Sequence, residues 1–118
     1  MNPERLVADA KAAALALAAG YAPGAPRQDI PVEGEAGFAR LKMGIHLARE
    51  GGAISEYDAV IGEKLAHVLS GGSLAGGQTV SEQHLLDLER EAFLSLLGQP
   101  KTQERIQAML KTGKTLRN

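Results

Sequence analysis

The chain has 118 residues, a formal net charge of −1 and no cysteine, which together indicate one small domain without disulfides or thiolate metal sites. The near-neutral charge disfavours bulk attraction to nucleic acid or to an anionic membrane. Hydrophobic residues make up 44% of the chain but aromatic residues only 3%, and no apolar run reaches the roughly 18 residues of a membrane span, so we predict a cytoplasmic protein with an aliphatic core.

The first segment, residues 1–20, has the signals of a helix. Asn2 can cap its start, Pro3 suits the first helical position, and Gly20 can end it. Its apolar face consists of residues at helical spacing, namely Leu6, Ala10, Ala13 and Leu17.

The next segment, residues 21–34, is rich in proline, with Pro23, Pro26 and Pro31. Proline at this density breaks regular elements. We therefore predict an irregular linker here, and no stretch of the chain shows the alternation typical of a strand.

Two further helices are predicted in the middle of the chain. One extends from Glu35 to Glu50 and ends at the glycines 51–52. The other opens with a capping box from Ser55 to Asp58. Their inward faces are predicted to consist of Phe38, Leu41, Ile45 and Ala48 in the first, and Tyr57, Ile61, Leu65 and Val68 in the second.

A fourth helix is predicted from the stretch "TVSE", with a Thr79–Glu82 capping box, to Leu97. A short fifth helix starts at Thr102 and ends at Gly113. The inner face of the fourth helix is predicted to contain Leu85, Leu88, Ala92 and Leu96.

These elements predict an all-α fold of about five helices in an irregular bundle. We divide the chain into an N-terminal helix (1–20), a proline-rich linker (21–34) and a helical C-terminal region (35–118).

Two motifs near the end of the chain invite a binding function. "KTGKT" resembles part of a phosphate-binding loop, but the motif needs a glycine where Ala108 stands and a strand before it. The fourth and fifth helices have the spacing of a helix-turn-helix, with three side chains that could reach base edges, although the acidic fourth helix disfavours DNA. Those side chains are Gln103, Arg105 and Gln107.

Three other features each have a functional and a plainer interpretation. The histidines His46, His67 and His84 fall on different predicted helices, so they predict no metal site, and His46 is expected to be packed or hydrogen-bonded. "SGGSLAGG" could bind an anion through backbone amides, or simply connect two helices. The five basic residues after position 100, against one acid, suit an anionic ligand or form a solvated tail.

The stretch "VSEQHLLDLEREAFLSLLGQPKTQERIQAMLKTGKTLRN" resembles the C-terminal end of bacterial bifunctional 3-hydroxyacyl-CoA dehydrogenase/enoyl-CoA hydratase, in which a crotonase-type part closes the chain. The resemblance extends from Phe38 to Asn118, includes "GAISEYDAVIGEKLAHVLSGG", and is most specific from Val80 onward. Thr115 departs from the family tail, which reads Lys-Pro-Leu-Arg-Asn, and the loss of proline should loosen the tail.

This resemblance implies a non-catalytic helical fragment of a fatty-acid β-oxidation enzyme. The parent would use NAD and acyl-CoA, but the oxyanion hole and catalytic glutamates of a crotonase fold would lie outside this chain. The resemblance implies that Lys114, and less specifically Lys111, contact CoA phosphates. It also implies that the helices pack on the remainder of the parent enzyme and on neighbouring subunits in a homo-oligomer.

A different class of function stays open on the residues alone. The chain could be a self-contained helical module that binds a protein or nucleic-acid partner through its cationic end. The two hypotheses differ in what they expect of the apolar faces, because a fragment leaves them uncovered and a self-contained module buries them.

Overall fold

The computed structural model describes residues 5–118, which contain five helices and two short strands. In chain order they are α1 (Leu6–Ala18), β1 (Ile30–Val32), α2 (Gly34–Glu50), α3 (Glu56–Leu69), β2 (Gln78–Val80), α4 (Glu82–Leu97) and α5 (Pro100–Thr112). The predicted all-α fold of about five helices is confirmed. The predicted cap at Asn2 and first-turn role of Pro3 lie outside the described residues.

The two strands correct the sequence prediction of an irregular linker with no strand. β1 lies inside the proline-rich segment and pairs antiparallel with β2, with Ile30 opposite Val80 and Pro31 opposite Thr79. Each strand has three residues, which is too short for alternation to show, and Pro31 is tolerated because this is an edge strand.

A close backbone contact joins the start of α2 to the loop after α3. The N–H of Gly34 donates to the carbonyl of Ser70, and that of Glu35 donates to the carbonyl of Leu74, both at 2.9 Å. A Cβ on Gly34 would lie 2.1 Å from the Leu74 carbonyl oxygen, and the residue has a φ of +59°. Only glycine fits this crossing, since any side chain would collide with backbone.

The start of α3 agrees with the predicted cap, whereas α4 and α5 start at residues other than those predicted. The capping box from Ser55 to Asp58 is confirmed. The start of α4 is capped by Ser81, whose hydroxyl accepts from the His84 N–H at 3.1 Å, and not by Thr79, because Thr79 belongs to β2. Helix α5 starts at Pro100, before the predicted Thr102, since proline suits the first turn.

The core is small and is spread along α3, from Tyr57 in its first turn, which contacts α5, to its end, where the following loop meets the sheet. Its buried apolar residues are Val32, Tyr57, Ala59, Ala66 and Val80. Most of the predicted inward residues of α2, α3 and α4 are only half-buried, whereas Leu41 and Leu65 were expected inside and are 44% and 56% exposed. These two predictions are wrong because α2 and α4 each cover one side of α3 and leave the outer faces open.

The fold is open, and α1 is its most exposed element. Every residue of α1 is exposed, including its predicted apolar face. The radius of gyration is 20.5 Å, whereas a compact domain of about 100 residues has one of about 13 Å. Among the described residues, no helix combines the length and apolar character required to cross a bilayer.

Gly71 and Gly77 allow a matched test of the packing at the sheet. Both have positive φ, but a Cβ on Gly71 would lie 2.8 Å from the Val32 side chain, whereas a Cβ on Gly77 meets nothing within 4 Å. Both alanine variants therefore suffer the backbone cost of about 1 kcal/mol. We expect Gly71→Ala to lower the free energy of unfolding further, measured by urea denaturation, and equal losses would contradict this account.

Candidate functional site

A polar cluster joins the first turn of α3 to α5 and to the last residue of the sequence. We call it the Arg105 clasp, and it consists of Ser55, Asp58, Arg105 and Asn118. Arg105 donates from Nη1 to Asp58 Oδ1 at 2.7 Å and from Nε to Asn118 Oδ1 at 2.8 Å. The Arg105 and Asp58 side chains are only 21% and 24% exposed. A shielded ion pair with several hydrogen bonds contributes more to stability than a surface pair.

Tyr57 forms the apolar floor of this cluster. It is buried, and its hydroxyl lies 2.7 Å from the Thr102 hydroxyl. The Arg105 guanidinium lies 5.2 Å from the centre of the Tyr57 ring, and the Lys101 ammonium 5.6 Å. Both cations are within the range of a cation–π interaction. Tyr57 therefore holds the first half of α5 on α3.

The Asp58 carboxylate is held in its charged form. The Ser55 backbone N–H donates to it at 3.0 Å as the second half of the capping box. This hydrogen bond, followed by the one from Arg105, lowers the pKa of Asp58 to about 2. A carboxylate that accepts several hydrogen bonds resists protonation, so Asp58 acts as a fixed anion and not as a general acid or base near neutral pH.

The two predicted phosphate-binding lysines lie at the far end of α5. Lys111 is in its last turn and Lys114 follows Gly113, which ends the helix with a φ of +66°. Both side chains are exposed. The plainer role of Lys111 is to complement the negative end of the helix dipole.

A shallow cleft of about 350 Å³ lies between this tail and the clasp. Its lining includes Arg105 and Arg117 together with Asp58, but neither Lys111 nor Lys114. The structure thus places Arg117, and not the two lysines, at the cleft. The tail tip is also anchored, because the Asn118 side chain donates to Glu104 at 2.8 Å, although Thr115 was expected to loosen the tail.

The helix-turn-helix candidates are largely engaged inside the molecule. Arg105 belongs to the clasp, and the Gln103 side chain donates to the Leu97 carbonyl at 3.0 Å. Gln107 is exposed. One of the three side chains is therefore directed to solvent without an internal role, which is too few to read a base sequence.

The glycine loop has a structural role at its start. The N–H of Gly72 donates to the His67 carbonyl and that of Gly71 to the Val68 carbonyl, both at 3.0 Å. This pattern is a Schellman cap that ends α3. These two amides already donate hydrogen bonds within the cap, so they are not free to bind an anion.

The three histidines lie on three different helices. The His67 ring packs edge-on against Phe38, with ring centres 5.8 Å apart, and His84 Nε2 lies 3.0 Å from the Gly71 carbonyl oxygen. His46 was expected to be packed and is exposed, so that prediction is wrong. Residues 5–118 contain no group of three or more side chains arranged to hold a metal ion. "KTGKT" begins in the last turn of α5, and a helix and not a strand precedes it, which argues against a phosphate loop.

Comparison with known proteins gives one informative similarity. No family model matches the chain, and no solved structure matches it. The whole chain is 44% identical, over 119 aligned residues, to part of a Bacillus subtilis (strain 168) protein named "Probable 3-hydroxyacyl-CoA dehydrogenase". The chain spans 15% of the length of that relative.

Sequence reasoning identified half of the clasp. The Ser55–Asp58 capping box was visible as a local motif, but Arg105 was considered only as a DNA-contact candidate and as one of the five basic residues after position 100, and no role was predicted for Asn118. Asp58 and Arg105 are 47 positions apart, and no local signal pairs residues at that separation. The buried Tyr57 was the available clue, since an aromatic residue with a hydroxyl needs a polar partner.

The clasp predicts that substitutions at two arginines will differ widely in their effect on the free energy of unfolding. We expect Arg105→Gln to lower the free energy of unfolding by about 2 kcal/mol, since it removes charged hydrogen bonds from a shielded site. The matched control is Arg90, which pairs with Asp87; their side chains are 68% and 57% exposed. Arg90→Gln should lower the free energy of unfolding by less than about 0.5 kcal/mol. Thermal unfolding followed by circular dichroism measures both, and similar losses would count against the clasp.

The clasp also predicts an acid-dependent loss of stability. The pKa of Asp58 is about 2 in the folded chain and about 3.9 in an unfolded one. Its stabilising contribution is therefore complete above roughly pH 5 and is lost as pH falls toward 2. The stability difference between the native chain and Asp58→Asn should shrink over that interval, and a constant difference would refute the shift.

Proposed function

We propose that this chain is a non-catalytic helical element of a 3-hydroxyacyl-CoA dehydrogenase, and that it packs on the catalytic parts of that enzyme. The observation that carries the proposal is the 44% identity over the full chain to 15% of the Bacillus protein of that name. In such an enzyme NAD would be held by residues outside this chain. Within residues 5–118, neither strand is followed by the glycine-rich turn that binds a dinucleotide.

The exposed apolar surface supports a packing role. Large hydrophobic side chains are exposed on every helix, including Met43 and Leu47 of α2 at 60% and 63%, and Leu110 of α5 at 81%. A stable monomer rarely leaves so many apolar side chains in water, because each one buried contributes roughly 1.5–3 kcal/mol. The faces of α2 and α5 are therefore assigned to contacts with the rest of the enzyme.

The cationic end of α5 is assigned to the phosphates of CoA. Lys111, Lys114 and Arg117 are all exposed there. The helix dipole places roughly half a negative charge at this end, which three cations outweigh. An ammonium on a flexible stem suits a phosphate as a point charge. Lys114 is the first choice, because the family tail motif includes it.

We further propose that the parent enzyme is bifunctional, because residues 38–118 resemble enzymes that also carry an enoyl-CoA hydratase part of the crotonase type. On this hypothesis the clasp keeps α5 and its cationic tail in a fixed position relative to α3. Arg105 then acts on CoA binding only through the placement of the tail.

A chimera tests the proposal in a complete enzyme. The 119 aligned residues of the Bacillus protein are replaced by this chain, and oxidation of a 3-hydroxyacyl-CoA is followed through NADH formation. We expect activity in the chimera and a loss when the segment is deleted. Full activity after deletion would refute the packing role.

Lys114→Gln in the chimera tests the phosphate contact. We expect KM for the acyl-CoA to rise about threefold to tenfold, as for loss of one exposed charge contact, with kcat unchanged. The control substrate is the N-acetylcysteamine thioester, which lacks the CoA phosphates, and its KM should not move. The control variant is Lys101→Gln, at the other end of α5, and an equal effect there would contradict the assignment.

A further inference from the structure

The shallow cleft between the clasp and the tail combines charged side chains with apolar surface. We call it the tail cleft, and its lining residues are Asp58, Arg105, Met109, Thr115, Leu116 and Arg117. Its volume of about 350 Å³ lies within the range of small-molecule sites. Met109 and Leu116 are 45% and 38% exposed, so apolar surface on both residues remains open to a ligand.

Arg117 is the cation of the tail cleft that has no partner among residues 5–118. It forms no salt bridge, and neither its side chain nor that of Thr115 forms a hydrogen bond within this range. The Asp58 carboxylate of the cleft is already paired with Arg105 at 2.7 Å and accepts from the Ser55 N–H at 3.0 Å. The cleft therefore offers a ligand one free guanidinium and one free hydroxyl.

This pair of free groups suits a phosphate monoester. A guanidinium donates two parallel hydrogen bonds to two phosphate oxygens, and the hydroxyl of Thr115 can donate to a third. The chain beyond Arg117 is already restrained, because Asn118 Oδ1 accepts from Arg105 Nε at 2.8 Å. Since the clasp holds the tail before a ligand arrives, binding removes less conformational entropy.

The apolar side of the tail cleft suits a flat aromatic ring. The thioether of Met109 makes favourable contacts with aromatic rings, and Leu116 adds aliphatic surface to the same cleft. A ligand that matches both sides of the cleft carries a phosphate monoester next to a planar ring. A nucleotide with a terminal phosphate has this chemistry.

We propose that the tail cleft binds the adenosine 3′-phosphate end of CoA, with Arg117 and Thr115 on the phosphate and Met109 and Leu116 against the adenine. The inference rests on the proposed function, in which the substrate is a CoA thioester. The 3′-phosphate is a monoester with about two negative charges at neutral pH, whereas each phosphate of the NAD diphosphate carries a single charge. The free guanidinium therefore favours CoA over NAD.

This assignment divides the phosphates of CoA between two residues of the tail. Lys114 lies three positions before Arg117, and three residues of chain span at most about 10 Å. Lys114 does not line the tail cleft, so its ammonium is left for the diphosphate while Arg117 contacts the 3′-phosphate. The two contacts are separable by experiment, because dephospho-CoA lacks the 3′-phosphate and keeps the diphosphate.

A nucleotide titration of the 118-residue chain tests the site directly. We expect adenosine 3′,5′-bisphosphate to shift the backbone amide NMR signals of Thr115, Leu116 and Arg117. Its Kd should be about tenfold lower than that of adenosine 5′-monophosphate, which lacks the 3′-phosphate, as for one charged hydrogen-bonded contact. Arg117→Gln should abolish this difference, and Thr115→Val should reduce it about threefold.

The matched control for the titration is Arg90→Gln, at an exposed arginine of α4 that lies outside the tail cleft. It should leave both dissociation constants unchanged. Equal affinity for the two nucleotides, or signal shifts that leave out residues 115–117, would overturn the proposal.

The chimera described above separates this inference from the proposed function. The same 3-hydroxyacyl group is supplied on CoA and on dephospho-CoA, at saturating NAD. We expect Arg117→Gln to raise KM for the CoA thioester about tenfold, with kcat and the KM of the dephospho-CoA thioester unchanged. An inactive chimera would contradict the proposed function, and the nucleotide titration would still decide the site. An active chimera in which Arg117→Gln raises KM equally for both thioesters, or raises KM for NAD instead, would overturn the assignment of the cleft to CoA.

Discussion

The arrangement of the helices depends on one backbone crossing, where the start of α2 lies against the glycine loop after α3. At Gly34 the two backbones approach too closely for any side chain, and hydrogen bonds to Ser70 and Leu74 hold them there. The short β1–β2 ladder closes the same region from the other side. Since β1 precedes α2 and β2 precedes α4, this crossing sets where both helices lie relative to α3.

A core of five buried apolar residues is small for a chain of 118. Instead, α2 and α4 each pack on α3, while α5 packs on α4 and is joined to the first turn of α3 by the Arg105 clasp. This arrangement buries the contacts between neighbouring helices and leaves their outer faces exposed. This explains why the outer aliphatic side chains of α2 and α5 remain in water, and why a segment spanning 15% of the length of a larger relative can be mostly helical without being compact.

The Arg105 clasp is the second interaction that fixes the arrangement of the helices. It joins the first turn of α3 to α5 and to Asn118 through an ion pair that is mostly shielded from solvent. The cationic tail therefore does not trail freely from α5, because its last residue is tied back to the helix bundle. A phosphate contact at Lys114 would form on a loop held at both ends, which lowers the entropy that binding must remove.

The sequence by itself determined the helices and most of their ends, because caps, glycines and proline act within a few residues. The Ser55–Asp58 capping box and the all-α class could be predicted for that reason, as could the separate placement of the three histidines. Tertiary structure alone decided the β1–β2 pairing, the exposure of Leu41 and Leu65, and the partnership of Asp58 with Arg105. These depend on which segments meet across tens of residues, and helical periodicity shows that a face is apolar without showing what covers it.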